Sequence, residues 1–384
     1  MTRTPQRSHL IVNFCDTAWG ETVHALTIAR ELVASGDTCV VLTNNRDLLR
    51  LSNHSGLTIE AADLSLGLER CIDAAVSRTP AGSLILADFA TFDNALRRTR
   101  EDPAFVRRYG LPTIVVDTWD STESGATQDF FGDQPVRIGD WAAGLGARLL
   151  PAPPVRPHPR PGVYAALLAP VARGAEPRRL GRALYGLPAD VPVVLFCTSG
   201  WQHVSFEGTR GHALATALPH VLAGYLAQIE PAVHLVHLGP EPYPLGPVLG
   251  ERYRWVPPQA PERFSALLSC VDAVLSANVW TSTISRCVGS GVPVLIAQNS
   301  CRAETVDEAV AWFGERPPRE TLDRIERLLP LYPFGLWPFG WSAFLAPLMR
   351  DNSYLRAVER VEILQERAFI ETCTRVLFDR ARRE

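Results

Sequence analysis

The 384-residue chain has no lysine, so all 38 of its basic residues are arginine. Without a primary amine side chain, Schiff-base chemistry, a pyridoxal-phosphate anchor and a lysine-bearing P-loop are excluded. Also missing are a G-x-G-x-x-G fingerprint after the first strand-like run, a C-x-x-C pair and a solenoid-length repeat. No apolar run approaches the roughly 18 residues that span a bilayer. The opening MTRTPQRSHLIVNF lacks the apolar core of a secretory leader, so neither export nor a membrane span is expected.

Charge of one sign is also scarce. A formal net charge of -3 offers no basic surface for a polyanion, which argues against a nucleic-acid partner. The eight cysteines are scattered, several inside apolar strand-like runs, which suits reduced thiols in a cytoplasmic protein better than disulfides or a zinc site. His234 and His237 are three apart in HLVHLG, so on a strand they face opposite ways and make poor joint metal ligands. No metal is expected. The bias toward Arg, Ala and Pro suggests a high-GC bacterial source.

What is present is α/β patterning. HLIVNF reads as a buried strand, followed by the turn CDTAWGE, a helix with Val23, Leu26, Ile28, Ala29 and Leu32 on its apolar positions, a stop at Gly36 and the strand CVVLT. This βαβ opening predicts a parallel sheet. SLILAD and LPTIVVDTWD repeat the theme, so Asp16, Glu21, Asp88, Asp117 and Asp120 are expected on one rim, at the carboxyl ends of the strands. A Pro-rich stretch over 151–178 reads as a stiff linker. A second sheet then begins at VPVVLFCTSGW and continues through HLVHLG. The aromatic and Pro-rich run up to about residue 350 fits a packed crossover between domains. These runs predict two Rossmann-like doubly wound domains, 1–150 and 179–348, with 349–384 a helix returning to the first.

The most informative stretch is 253–300, YRWVPPQAPERFSALLSCVDAVLSANVWTSTISRCVGSGVPVLIAQNS. It parses as strand, Pro-rich turn, amphipathic helix, strand AVLSA, a polar turn at Trp280–Ser282, a helix opening near Thr283, and strand VPVLIAQ. The order resembles the nucleotide-sugar site of GT-B glycosyltransferases, the class that includes MurG-type and plant secondary-metabolite enzymes. That resemblance implies a GT-B architecture, two domains facing across a cleft, with a UDP-, GDP- or dTDP-sugar donor as co-substrate and no separate cofactor. It also implies a small-molecule acceptor bound through an O, N or S nucleophile, metal-independent transfer, a setting in bacterial natural-product (antibiotic) biosynthesis, and a chain that admits a homodimer.

Residue by residue, the resemblance places the base edge at Val256 and Gln259. Diphosphate contacts fall at Ser199, Gly200, Trp201 and Gln202 in one turn, and at Trp280, Thr281, Ser282 and Thr283 in the next. Arg286 stands where the family has a ribose-binding carboxylate and so departs from the pattern: a guanidinium there could turn the position toward phosphate charge, and a surface residue on a helix whose donor recognition lies elsewhere is the other reading. Glu21 matches the family's base position, with His24 and Asp16 as further catalytic candidates. A helix dipole at Glu21 favours the ionised form and so lowers basicity, and a Glu that only stabilises the helix start is an equal reading. Likewise, Thr281 or Ser282 could serve only as an N-cap. A nucleotide-sugar epimerase of the same fold and a catalytically silent ligand- or partner-binding protein are the rival readings.

Overall fold

The computed structural model describes residues 7–15, 20–51, 56–121, 127–128, 136–155, 162–165, 169–204, 209 and 211–378. The chain divides into two compact units, one of residues 1–154 and 158–167, the other of 155–157 and 168–384. No helix among the described residues is long and apolar enough to cross a membrane.

The first unit holds β1 (Ser8–Asn13), β2 (Thr38–Thr43), β3 (Thr58–Ala61), β4 (Ser83–Leu86), β5 (Thr113–Asp117), an antiparallel ribbon of β6 (Thr127–Gln128) and β7 (Val136–Arg137), and β8 (Arg148–Pro151). Its six-stranded sheet runs β3-β2-β1-β4-β5-β8, and every pairing in it is parallel. Leu10 and Ile11 on β1 are both fully buried, as expected of a strand covered on both faces. Helix Gly20–Ala34 follows β1 and sinks Ala25, Leu26, Ile28 and Ala29 against the sheet.

The second unit repeats the plan with β9 (Val193–Cys197), β10 (His234–Leu238), β11 (Tyr253–Val256), β12 (Ala273–Ser276), β13 (Val294–Gln298) and β14 (Glu359–Glu362). Their order is β11-β10-β9-β12-β13-β14, again all parallel. Both sheets therefore have the 3-2-1-4-5-6 order of dinucleotide-binding folds, in which the winding direction reverses between the first and fourth strands. That switch point opens a crevice at the carboxyl ends of β1 and β4 in one unit, and of β9 and β12 in the other.

The stretch 349–384 adds a strand that was not expected from the sequence. That strand is β14, and helix Glu366–Phe378 buries Phe369, Cys373, Val376 and Leu377 in the second unit's core, with Phe369 5.0 Å from Tyr225. The aromatic run before it is bonded to the second sheet. Leu331 and Ala303 exchange backbone bonds, Phe334 N–H donates to Asn299, and Trp337 N–H donates to Ala277, so 331–341 runs across the carboxyl ends of β12 and β13. Finally, the Pro-rich stretch 151–178 is packed where it is described. Tyr164 N–H donates to Pro151, Val171 N–H donates to Ser290 Oγ, and Arg173 spans the carbonyls of Leu268, Ser269 and Val271.

Candidate functional site

In the first unit, the chain leaves β1 and enters helix Gly20–Ala34 with Glu21 in its first turn. It leaves β4 at Asp88, which caps helix Phe89–Thr99 by accepting Thr91 N–H at 2.8 Å. The two carboxyls thus flank the switch point and feel each other. Burial, with Asp88 beside it, pushes Glu21 from the ordinary 4.5 up to about 7. Burial also lifts Asp88 from 3.8 to about 6, against the hydrogen bonds it accepts from Thr91 and Thr118 and with Asp117 adding to the rise. Asp117, at the end of β5, is fully buried and accepts from Trp119 N–H and from both Ser121 groups. Burial still raises its pKa, and Asp120 adds to the effect.

The expected acidic rim is therefore assembled from Glu21, Asp88, Asp117 and Asp120, and Asp16 lies outside the described residues. The helix dipole, which favours ionised Glu21, is outweighed by desolvation and a like charge. His24, one turn on, is 4% exposed; burial drops it from 6.5 to about 3, and its Nδ1 has no hydrogen-bond partner among the described residues. It is a neutral imidazole held in the interior, and a very weak base.

Sequence reasoning missed the polar knot beneath Glu21. Asn13 and Asn45 both donate to Thr22 Oγ1, at 3.0 and 3.1 Å, and Asn45 also holds the Cys15 carbonyl at 2.9 Å. Buried amides such as these tie the end of β1 to the start of the following helix. The signal available was an Asn closing β1 and another two residues past the end of β2, each after an apolar run.

In the second unit, Ser199, Gly200, Trp201 and Gln202 follow β9, and Trp280, Thr281, Ser282 and Thr283 follow β12, so both sets flank the second switch point. Gln202 is already committed: its Oε1 accepts Ser199 N–H at 2.7 Å, and its amide donates to the Trp337 carbonyl at 3.2 Å. Trp201 stacks on Phe339 at 4.8 Å. Thr281 is the N-cap of helix Ser282–Gly289, accepting Ile284 N–H at 3.3 Å, while Ser282 and Thr283 stay partly exposed in the first turn. Trp280 is buried.

Arg286 is tied down locally. It donates to Ser265 Oγ at 2.8 Å and to the Ala169 carbonyl at 3.4 Å, with its guanidinium 5.6 Å from the centre of the Phe264 ring. Val256 ends β11 with its carbonyl taken by Gly239 N–H, and the Gln259 amide donates to the carbonyls of Pro257 and Pro258. These two lie at one edge of the sheet, two strands from the switch point. Beside the β13 end, a cavity of about 750 Å³ is lined by Arg302, Tyr332, Phe339, Trp341, Ser342 and Phe344, among others. Among the described residues no cluster of His, Cys, Asp and Glu has a metal-binding arrangement.

Two Rossmann-like units, each with polar side chains at its switch point, define a doubly wound α/β protein. The chain belongs to DUF6365, a family of unknown function whose pattern matches residues 26–384. No curated protein shows significant sequence similarity to it. Among solved structures it is similar to Acinetobacter baumannii MurG, at 13% identity over 98% of this chain and 93% of that one, with a TM-score of 0.47. It is also similar to the glycosyltransferase SnogD from Streptomyces nogalater (15%, 96% and 99%, TM-score 0.45). Arabidopsis thaliana UGT89C1 is similar too (13%, 98% and 92%, TM-score 0.49). Likeness this distant carries no argument about chemistry.

Proposed function

We propose that the protein is a metal-independent GT-B glycosyltransferase that moves a sugar from a nucleoside-diphosphate sugar to a small-molecule acceptor. The observation that carries the reading is the Glu21–Asp88 pair at the first switch point. A carboxyl held to about 7 is part ionised at neutral pH and basic enough to take a proton from an acceptor hydroxyl. Asp88 sustains that basicity, because the two charges resist ionising together. In the second unit, the first-turn groups of Ser282 and Thr283 offer donors to a departing diphosphate at a helix start. The sequence pattern of 253–300 supports a nucleotide there.

Direct displacement balances as follows. The acceptor oxygen bonds to the anomeric carbon, its proton passes to Glu21, and the bond from that carbon to the diphosphate oxygen breaks. A thiol acceptor, already part ionised, would need Glu21 less. Donor, acceptor and pathway within bacterial natural-product synthesis belong to the proposal.

A second reading, a ligand-binding protein without turnover, is favoured by Arg286. Where the resemblance places a ribose-binding carboxylate there is a guanidinium spent on Ser265, Ala169 and Phe264. Thermal unfolding with UDP, dTDP and GDP tests both readings. A nucleotide at a hundred times its Kd adds about 2.7 kcal/mol, which raises the midpoint by roughly 5–10 °C. No rise with any of the three removes the donor site. A rise with no sugar transfer to a panel of hydroxyl, amine and thiol acceptors selects the silent reading.

A further inference from the structure

Beneath the turn after β9 lies a chain of hydrogen bonds that the transfer reading does not use. Thr198 Oγ1 is 2.7 Å from His237 Nε2 and 3.1 Å from His203 Nε2, and His237 Nδ1 is 3.1 Å from the Tyr253 hydroxyl, which also accepts Tyr243 N–H at 3.0 Å. The rings are held near parallel: Tyr243 stacks beside both imidazoles, 4.8 Å from His203 and 4.6 Å from His237, whose own centroids are 6.2 Å apart. The backbone closes on this chain at Gly239, where a Cβ would collide with Thr198 Oγ1 and come within 2.6 Å of His237 Nε2. His237 is fully buried, whereas His203 and Tyr253, the two ends, are partly exposed. Burial drops His237 to about 3 and lowers His203, so both imidazoles are neutral near pH 7. The charged group bearing on His203 is Glu241, which favours its protonation.

A hydroxyl has one proton and two lone pairs, so Thr198 can accept from one imidazole while it donates to the other. Two arrangements of that kind run the length of the chain in one direction. In the first, His237 Nδ1–H donates to Tyr253, Thr198 O–H donates to His237, and His203 Nε2–H donates to Thr198, leaving His203 Nδ1 bare. In the second, Tyr253 O–H donates to His237, His237 Nε2–H donates to Thr198, Thr198 O–H donates to His203, and His203 carries its proton on Nδ1. A proton arriving at His203 Nδ1 converts the first into the second. The Nε2 proton passes to Thr198, the Thr198 proton to His237, and the His237 Nδ1 proton to Tyr253, which releases its own to solvent. No charge stays inside.

We propose that Tyr253, His237 and Thr198 form a proton relay that sets the tautomer of His203, so that His203 presents an Nδ1–H to a phosphoryl oxygen of a ligand over the turn 198–203. The phosphoryl ligand rests on the donor reading above; the relay itself does not. His203 is the group that meets the ligand, and the other three are positioning residues.

Imidazole nitrogen NMR of the full chain labelled with ¹⁵N-histidine tests this, with inorganic pyrophosphate, UDP, GDP and dTDP as probes and binding measured by calorimetry. Saturating ligand is expected to reverse the protonated nitrogen of His203 and His237 together. In Thr198→Val, and independently in Tyr253→Phe, His237 should no longer follow. His203→Asn should weaken pyrophosphate about tenfold or more, the scale of a hydrogen bond to a charged group. Bound nucleotide that leaves both imidazoles unmoved, or moves His203 alone in the unmodified protein, overturns the relay and spares the donor site. Pyrophosphate that moves both while no nucleotide binds keeps the relay and removes the nucleotide donor. Binding of none of the four probes overturns both.

Discussion

Replacing Glu21 by Gln should stabilise the first unit at alkaline pH and leave it unchanged in acid. A carboxyl whose pKa is about 7 in the fold and 4.5 in the unfolded chain binds its proton more tightly when folded. Folding is therefore favoured while the group is protonated. Stability is complete below about 4.5, is lost as pH rises toward 7, and is flat above that. At 1.36 kcal/mol per pH unit of difference, the ionised group costs the fold roughly 3 kcal/mol. Because Glu21 and Asp88 share the penalty of ionising side by side, a gain of about 2–3 kcal/mol is expected for Glu21→Gln at pH 8, and close to none at pH 4.5. Urea unfolding followed through amide exchange in β1 and β4 reads the first unit separately from the second. With a urea slope of about 2–3 kcal/mol per molar, the midpoint should move up by about 1 M at pH 8. Asp88→Asn, which keeps a capping side chain, should act in the same direction. Combined with Glu21→Gln it should give less than the sum. A Glu21→Gln protein that gains equally at both pH values, or loses stability at pH 8, refutes the strained pair and with it the base.

Other perturbations have expected outcomes of their own. Asp272 accepts Arg182 and Arg178, each at 2.7 Å, together with Val193 N–H, and Arg182 is 3% exposed. Asp272→Ala strands a buried guanidinium and should cost the second unit about 3–5 kcal/mol in urea unfolding. Thr281→Ala removes a helix cap and should cost about 1 kcal/mol by the same measurement; a larger loss of nucleotide affinity than of stability would show that Thr281 also meets ligand. Gly239→Ala should lower the second unit's melting temperature and disturb the His237 imidazole signals, whereas Gly246→Ala, with open space at its Cβ, should leave both in place.

The fold was legible where strands are buried on both faces. HLIVNF, CVVLT, VPVVLFC and AVLSA are continuous apolar runs, and each became an inner strand of its sheet. Two of the edge strands, β3 and β14, did not stand out, and for the same reason. TIEA at β3 and ERVE at β14 are half exposed and carry charged residues, so neither reads as a buried apolar run. β14 in particular is hidden, since a sequence gives no sign that ERVE completes a sheet whose previous strand lies about sixty residues earlier.

The site divides along a similar line. Which turns carry polar groups follows from strand order, so the rim of Glu21, Asp88, Asp117 and Asp120 could be read in advance. How basic those groups are could not. The dipole at Glu21 is visible in sequence and points to an acidic carboxyl, whereas the desolvation that overrides it depends on residues distant in the chain. Arg286 is the converse case. Its departure from the expected carboxylate suggested a phosphate ligand, yet Ser265 and Phe264, one helix earlier, and Ala169, more than a hundred residues away, already occupy the guanidinium. If the second unit holds a ribose, its hydroxyls must therefore be met by groups other than residue 286. Arg286→Glu separates the alternatives: restored ribose recognition would appear as UDP binding tighter than uracil with pyrophosphate, while loss of the Ser265 bond alone would lower stability and leave nucleotide affinity where it was.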